Sequence, residues 1–374
     1  MGMLKHIFWL GTKELRAVLS DVIMMSLILL TFTGMVYMQA TALPENVNHA
    51  SIAIVDDDNS TLSRQIANAF YPPYFQPPVQ IDATQVDAAL DAGEFLFVIS
   101  IPPDFEADLR RGFQPEILLD IDATAVMQAG LGDAYIQNIL NNEVSRYLNR
   151  SDVVTELPVT AQIHRAFNPN GTISWFAALT GILDFLNIII IMLTGAALVR
   201  EREHGTIEHL MVMPLHAVEI ALAKIWANGL IVLVAFALSM TVVVEGWLNV
   251  PVAGSRWVLL LGASLYLFAA SAIGILLGTV ARSMAQFALL VLLVVIPMML
   301  LSGGISPVES QPEMLQPVTS LLPSRHYMAF SQAVVFRGAG LETVWPDLLR
   351  IAGIGVVFLI SSLLVFRRSL SAAS

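Results

Sequence analysis

The sequence predicts an α-helical polytopic membrane protein of about six transmembrane helices that carries an inserted α/β extracytoplasmic domain. Composition is the first observation behind this reading. Of 374 residues, 56% are hydrophobic and 13% charged, with no cysteine, whereas an ordinary soluble domain has about 25% charged residues. The second observation is a series of nearly charge-free runs: Val22 to Thr41, Ile173 to Val199, Ile220 to Val244, Trp257 to Val280, Met284 to Leu301 and Leu348 to Phe366. Each approaches the roughly 20 residues that a helix needs to cross a hydrocarbon core. The third is the stretch 44–172, where short β-rich runs alternate with polar helical ones and 18 acidic residues face 6 arginines and no lysine.

The first run is expected to be an uncleaved anchor. Ala40 and Ala42 imitate a signal-peptidase site, but the run is longer than the usual h-region of about 7 to 15 residues. Before it, residues 1–21 read as an amphipathic helix. Leu4, Phe8, Gly11, Leu15 and Val18 share one face, and Lys5, Thr12, Lys13 and Arg16 turn away, a pattern that lies in the headgroup plane. Absence of cysteine excludes disulfides and thiolate metal sites.

Basic residues gather at alternate span ends: Lys5, Lys13 and Arg16, then Arg200 and Arg202, Arg282, and Arg367 with Arg368. The positive-inside rule places these ends in the cytoplasm, with 44–172 outside. An even number of spans gives the same parity, leaving the tail 367–374 inside with the amino terminus.

Within 44–172, the segments 51–56, 79–82, 95–101 and 116–122 read as strands. Helices are expected over 62–70, 84–92, 104–111 and 126–148. Such alternation favours a parallel or mixed sheet. DDDNS at 56–60 invites a calcium reading. It lacks the ligand order and central glycine of an EF-hand, and an Asx turn leading into a helix cap accounts for it. YPPYFQPP at 71–78 reads as a connector or a docking loop.

Between the second and third runs lies a burst of charge, LVREREHGTIEHLMVMP, residues 198–214. His204, Glu208 and His209 stand as H-x-x-x-E-H, which matches no zinc-hydrolase spacing. A short surface helix fits better: Arg200, His204 and Glu208 recur every four residues, Ile207, Leu210 and Met211 make an apolar patch, and Pro214 ends it. Inside the second run, Asp184 with Asn187 is a candidate for the translocation path or for an interhelical hydrogen bond, because a carboxylate at mid-membrane must face a cavity or a partner. Glu245 is expected to reach the outer surface. No phosphate-cradling G-x-x-x-x-G-K-[ST], nucleophile elbow, dinucleotide fingerprint or zinc-protease motif occurs. Any work the chain does draws its energy from elsewhere.

REREHGTIEHLMVMP followed by Lys224 resembles the permeases, or membrane subunits, of ABC type-2 transporters. LSGGISPVESQP at 301–312 and LLPSRHYMAFSQAVVFRG at 321–338 look like that family's outward hairpin, here 302–346, and the large insert is similar to a subgroup of bacterial inner-membrane exporters. The resemblance implies a five-helix region over 173–366 with a coupling loop at 200–217. In that loop Glu201, Arg202, Glu203, Gly205, Thr206 and Glu208 would contact or position the ATPase. It implies as partners a separate ABC ATPase, a second identical or similar permease, membrane lipids and a periplasmic adaptor, with no nucleic acid, no cofactor and no catalytic residue in this chain. Charge reversal of Glu201 and Glu208 together is expected to leave insertion and span packing intact. The competing reading is a membrane-anchored sensor or scaffold, and an intramembrane enzyme would need a paired constellation that the spans lack.

Overall fold

The computed structural model describes residues 2–42, 49–122, 126–149, 167–168, 172–203 and 216–371. Two compact units emerge, one of Pro44–His164 and one of Met1–Leu43 with Arg165–Ser374. The larger unit opens with α1 (Met3–Ser20) and α2 (Val22–Thr41). Between them Asp21 is extended, and its carboxylate accepts the Met24 N–H at 3.0 Å. That side chain caps the new helix and so separates a surface helix from an apolar one within a single residue. Ile28, Phe32, Val36 and Ala40 are the buried stripe of α2, four residues apart as one helical face requires.

In the smaller unit, β1 (Ile52–Asp56), β2 (Val79–Gln80), β3 (Phe97–Ile101) and β4 (Leu118–Ile121) form a mixed sheet in the order β2-β1-β3-β4. β1 runs parallel to β2 and β3, and β4 is antiparallel to β3. The helices are α3 (Thr61–Asn68), α4 (Val86–Asp91), α5 (Phe105–Arg110) and α6 (Val126–Asn149). Ile52 and Ile54 pack with Leu62, Ile66, Phe105 and Ile136 on one face, and Ala53 and Val55 with Val86 and Val98 on the other. A central parallel strand is thus covered on both sides, which is why it reads as an unbroken apolar run.

The DDDNS turn serves a helix cap. Asp56 accepts the Asn59 N–H at 2.9 Å and the Ser63 hydroxyl at 2.8 Å, while Ser60 and Ser63 form a reciprocal capping box for α3. Asp58 accepts the Glu106 N–H at 3.2 Å. In the Pro-rich loop, Phe75 is buried against Phe70 and Phe97, leaving Tyr71 and Tyr74 exposed. Glu106 is the polar knot of this unit: it accepts the Tyr147 hydroxyl at 2.6 Å and the Leu62 N–H at 3.0 Å, and pairs with Arg110 at 2.6 Å. Those bonds, that from Tyr147 foremost, hold its carboxyl below the usual glutamate range.

The larger unit continues with α7 (Ile173–Glu203), α8 (Ala217–Trp247), α9 (Arg256–Val280), α10 (Met284–Leu300), α11 (Pro323–Val335) and α12 (Leu341–Ser371). Among the described residues five helices, α2, α7, α8, α9 and the Leu341–Phe366 part of α12, are long and apolar enough to cross a membrane. The run from Met284 was expected to be a sixth. α10 has 17 residues, about 25 Å at a rise of about 1.5 Å per residue against roughly 30 Å of hydrocarbon. It ends where the chain turns through Gly303 at a φ of 93°.

α7 is buried nearly all round, as befits the centre of a bundle. It meets α9 at bare backbone. A Cβ added at Gly278 would stand 2.7 Å from the Gly195 carbonyl oxygen, and one at Gly274 equally near that of Ile191. Gly274 and Gly278 form a G-x-x-x-G step, the small-residue device by which helices approach in lipid. The segment expected to be an outward hairpin holds a helix packed into the bundle: Phe330 of α11 fills the space over Gly262 of α9, and Tyr327 stacks on Tyr266 with centroids 4.2 Å apart.

Candidate functional site

The end of α7 and the start of α8 gather a set of charged side chains. α1 lies against the first turns of α8. Phe8 stacks on Trp226 with rings 6.0 Å apart, the Trp226 indole N–H donates to the Ile7 carbonyl at 3.1 Å, and a side chain at Gly11 would collide with the indole. Glycine is required there because the aromatic ring occupies the Cβ position. His216 caps α8 through Glu219, whose second oxygen lies 3.0 Å from His6 Nδ1.

Lys224 is the hub. It is 2% exposed, and its ammonium donates to Glu14 of α1 at 3.1 Å and to Glu201 of α7 at 2.8 Å. One cation between two carboxylates thus ties three helices. A buried ion is tolerated only when paired, and removing its partner costs about 3 to 5 kcal/mol.

The next two residues fasten the same end of α7 to other helices. Arg202 donates to the carbonyls of Thr279 at 3.1 Å and Ala281 at 2.7 Å, where a cation complements the open carbonyls and negative end of α9. Glu203 accepts the Met284 N–H at 2.9 Å, the matching arrangement at the start of α10. Glu201, Arg202 and Glu203 therefore reach α8, α9 and α10 in turn.

This placement corrects one expectation. Reversal at Glu201 cannot leave packing intact, because it would set a second cationic group against buried Lys224. Gly205, Thr206 and Glu208, together with His204, His209 and Pro214, lie outside the described residues. Asp184 is 4% exposed on α7 and has no hydrogen-bond partner among the described residues, whereas Asn187, one turn on, accepts the Tyr266 hydroxyl at 2.8 Å. Asn187 thus makes an interhelical bond beside the Tyr266–Tyr327 stack. Glu245 pairs with Arg256 across the α8–α9 turn, with one contact at 3.1 Å.

Sequence reasoning passed over Glu14, Trp226 and the structural part of Lys224. A usable signal was present, since a lone lysine in an apolar run must find a carboxylate. The cluster is a set of tethers at the end of α7 and the start of α8, on either side of residues 204–215.

A family whose description reads ABC-2 family transporter protein matches residues 18–364, nearly the whole chain. The chain belongs to the ABC-2 transporter family. Its relatives are permeases. Over 370 residues it is 47% identical to the inner membrane transport permease YhhJ of Escherichia coli K12, covering 99% of each chain. It is 26% identical over 353 residues to the probable multidrug ABC transporter permease YbhR of the same organism, covering 92% of this chain and 93% of that one. With YbhS, also described as a probable multidrug ABC transporter permease, it shares 25% over 296 residues, 79% of this chain and 76% of the other. The ABC-2 chain is accordingly a membrane-embedded transport permease rather than an enzyme.

Proposed function

We propose that the chain is the membrane-spanning subunit of an ATP-driven exporter. Two copies, or this chain and a similar one, form the path, and separate ATP-binding cassettes dock on the loop 204–215. In this reading the protein sits in a bacterial inner membrane with both termini cytoplasmic and 44–172 periplasmic, where that domain offers a surface to an adaptor. α10 completes six crossings by local thinning of the bilayer around it.

The observation that carries the proposal is the Lys224 hub. A push on the loop enters α7 through Glu201, Arg202 and Glu203 and enters α8 through His216 and Glu219. It then reaches α1, α9 and α10 through charged contacts rather than through flexible linkers. Gly205, Thr206 and Glu208 supply the outward contact, and Asp184 is the candidate path residue.

The test is E208K in the assembled transporter. Co-purification of the ATPase is expected to fall by about three- to tenfold, and further in high salt, because a rim ion pair is screened. Co-purification and stimulated hydrolysis equal to wild type would remove the loop from the docking surface.

A further inference from the structure

A cleft of about 770 Å³ opens between α11 and α12, and none of its lining residues belongs to the Lys224 hub. We infer that it holds one anionic phospholipid, with the phosphate at Arg325 and Arg350 and an acyl chain along α12. This rests on the chain being embedded in a membrane and not on its coupling to an ATPase.

The wall supplied by α12 has a direction. Arg350, Gly353, Ile354, Val357 and Phe358 line the cleft and follow one another at helical spacing on one face. A single cation therefore stands at the head of an apolar stripe about 12 Å long. On the facing side Arg325 and His326 also line the cleft, and Asp347 joins His326, at 3.7 Å, to Arg350, at 2.9 Å. Charge at one end and hydrocarbon at the other is the complement of an amphiphile, and its sign selects an anion.

The arginines have donors to spare. Arg325 uses Nη1 on the Gln316 carbonyl at 2.7 Å and the Thr319 hydroxyl at 2.8 Å, and Arg350 uses Nη1 on Asp347 at 2.9 Å. No hydrogen bond from Nε or Nη2 of either is made among the described residues, although a guanidinium has five N–H groups. His326 is bonded to the Ser320 carbonyl at 2.8 Å, and Asp347, 3.7 Å from its other nitrogen, is the carboxylate at this end. Two arginines against one aspartate leave the mouth cationic. A planar guanidinium meets phosphate oxygens in pairs, which a zwitterionic headgroup offers with an offsetting ammonium.

Gly353 allows a direct test, because a Cβ there would meet nothing within 4 Å. G353L would add side-chain volume to the stripe from a Cβ that meets nothing and improve helix propensity, and R350Q would remove the exposed cation without touching the bundle. Full-length protein is incorporated into nanodiscs of equal phosphatidylglycerol and phosphatidylcholine, and tightly retained lipid is counted by native mass spectrometry. Wild type is expected to favour phosphatidylglycerol, R350Q to lower that preference about fivefold, and G353L to lose retention of both lipids. Equal retention of the two lipids by wild type, or an unchanged count in either variant, overturns the assignment. Failure of ATPase docking leaves each of these results unaltered.

Discussion

Glu106 and Lys224 are each the polar knot of their unit, and they are built differently. Glu106 takes a phenol, a backbone N–H and a guanidinium that stands largely in water. All these partners come from within its own unit. Lys224 is sealed among helices and is satisfied by two carboxylates, one of them 210 residues away in sequence. In the first unit, apolar burial on both faces of the sheet holds the fold, and the charged group trims one corner of it. Apolar contact gives little preference for one helix neighbour over lipid in the second, so polar tethers and close glycine backbones fix the arrangement.

The largest expected break of this contrast is K224M. It leaves Glu14 and Glu201 facing each other without a cation, at about 3 to 5 kcal/mol. Thermal unfolding in detergent should shift sharply downward, with early hydrogen exchange over residues 3–20. The triple variant E14Q/K224M/E201Q should recover much of the loss, because a buried ionic set replaced as a whole is often near neutral. Failure of the triple variant to recover would mean that shape and not charge is at issue.

G278A comes next. Its methyl would press on the Gly195 backbone, which cannot swing aside as a side chain can, and overpacking of that kind costs about 1 to 3 kcal/mol. Detergent stability should fall while residues 52–149 keep their exchange protection. Loss of protection in both units would show that the α7–α9 contact is not local to its bundle.

The smallest effect is the pH response of Glu106. Its folded pKa is lowered, so its contribution is complete above the unfolded glutamate value of about 4.3 and fades as pH falls through the folded value. E106Q should cost about 1 kcal/mol at neutral pH and flatten the acid limb of stability for residues 52–149. An acid limb identical to wild type would remove Glu106 as its source.

Much of the smaller unit was legible in the sequence because its signals are local. SIAIVD is apolar throughout since β1 is covered on both faces, and Ser60 announces the start of α3 by capping it. Five of the spans were legible for a similar reason, as length and the absence of charge are properties of a single segment. α11 was not: a 13-residue helix of mixed polarity looks like a surface hairpin until Gly262 and Tyr266 of α9 are brought against Phe330 and Tyr327. The hub was hidden in the same way. Glu14 reads as one more charge on a basic surface helix, and Glu201 as one more in a solvated burst, until folding places both beside Lys224.

The central claim is that the charges flanking the loop work inside the chain, by binding the ends of the helices into one body that an attached ATPase can move. It is tested most directly by stimulated ATP hydrolysis in the assembled transporter carrying K224M, with ATPase co-purification measured on the same sample. The account predicts that the ATPase still binds, because the sequence of residues 204–215 is unaltered, and that stimulation by transport substrate falls at least about tenfold, as the loss of roughly 1.4 kcal/mol of coupling requires. Stimulation equal to wild type with the ATPase bound would contradict it.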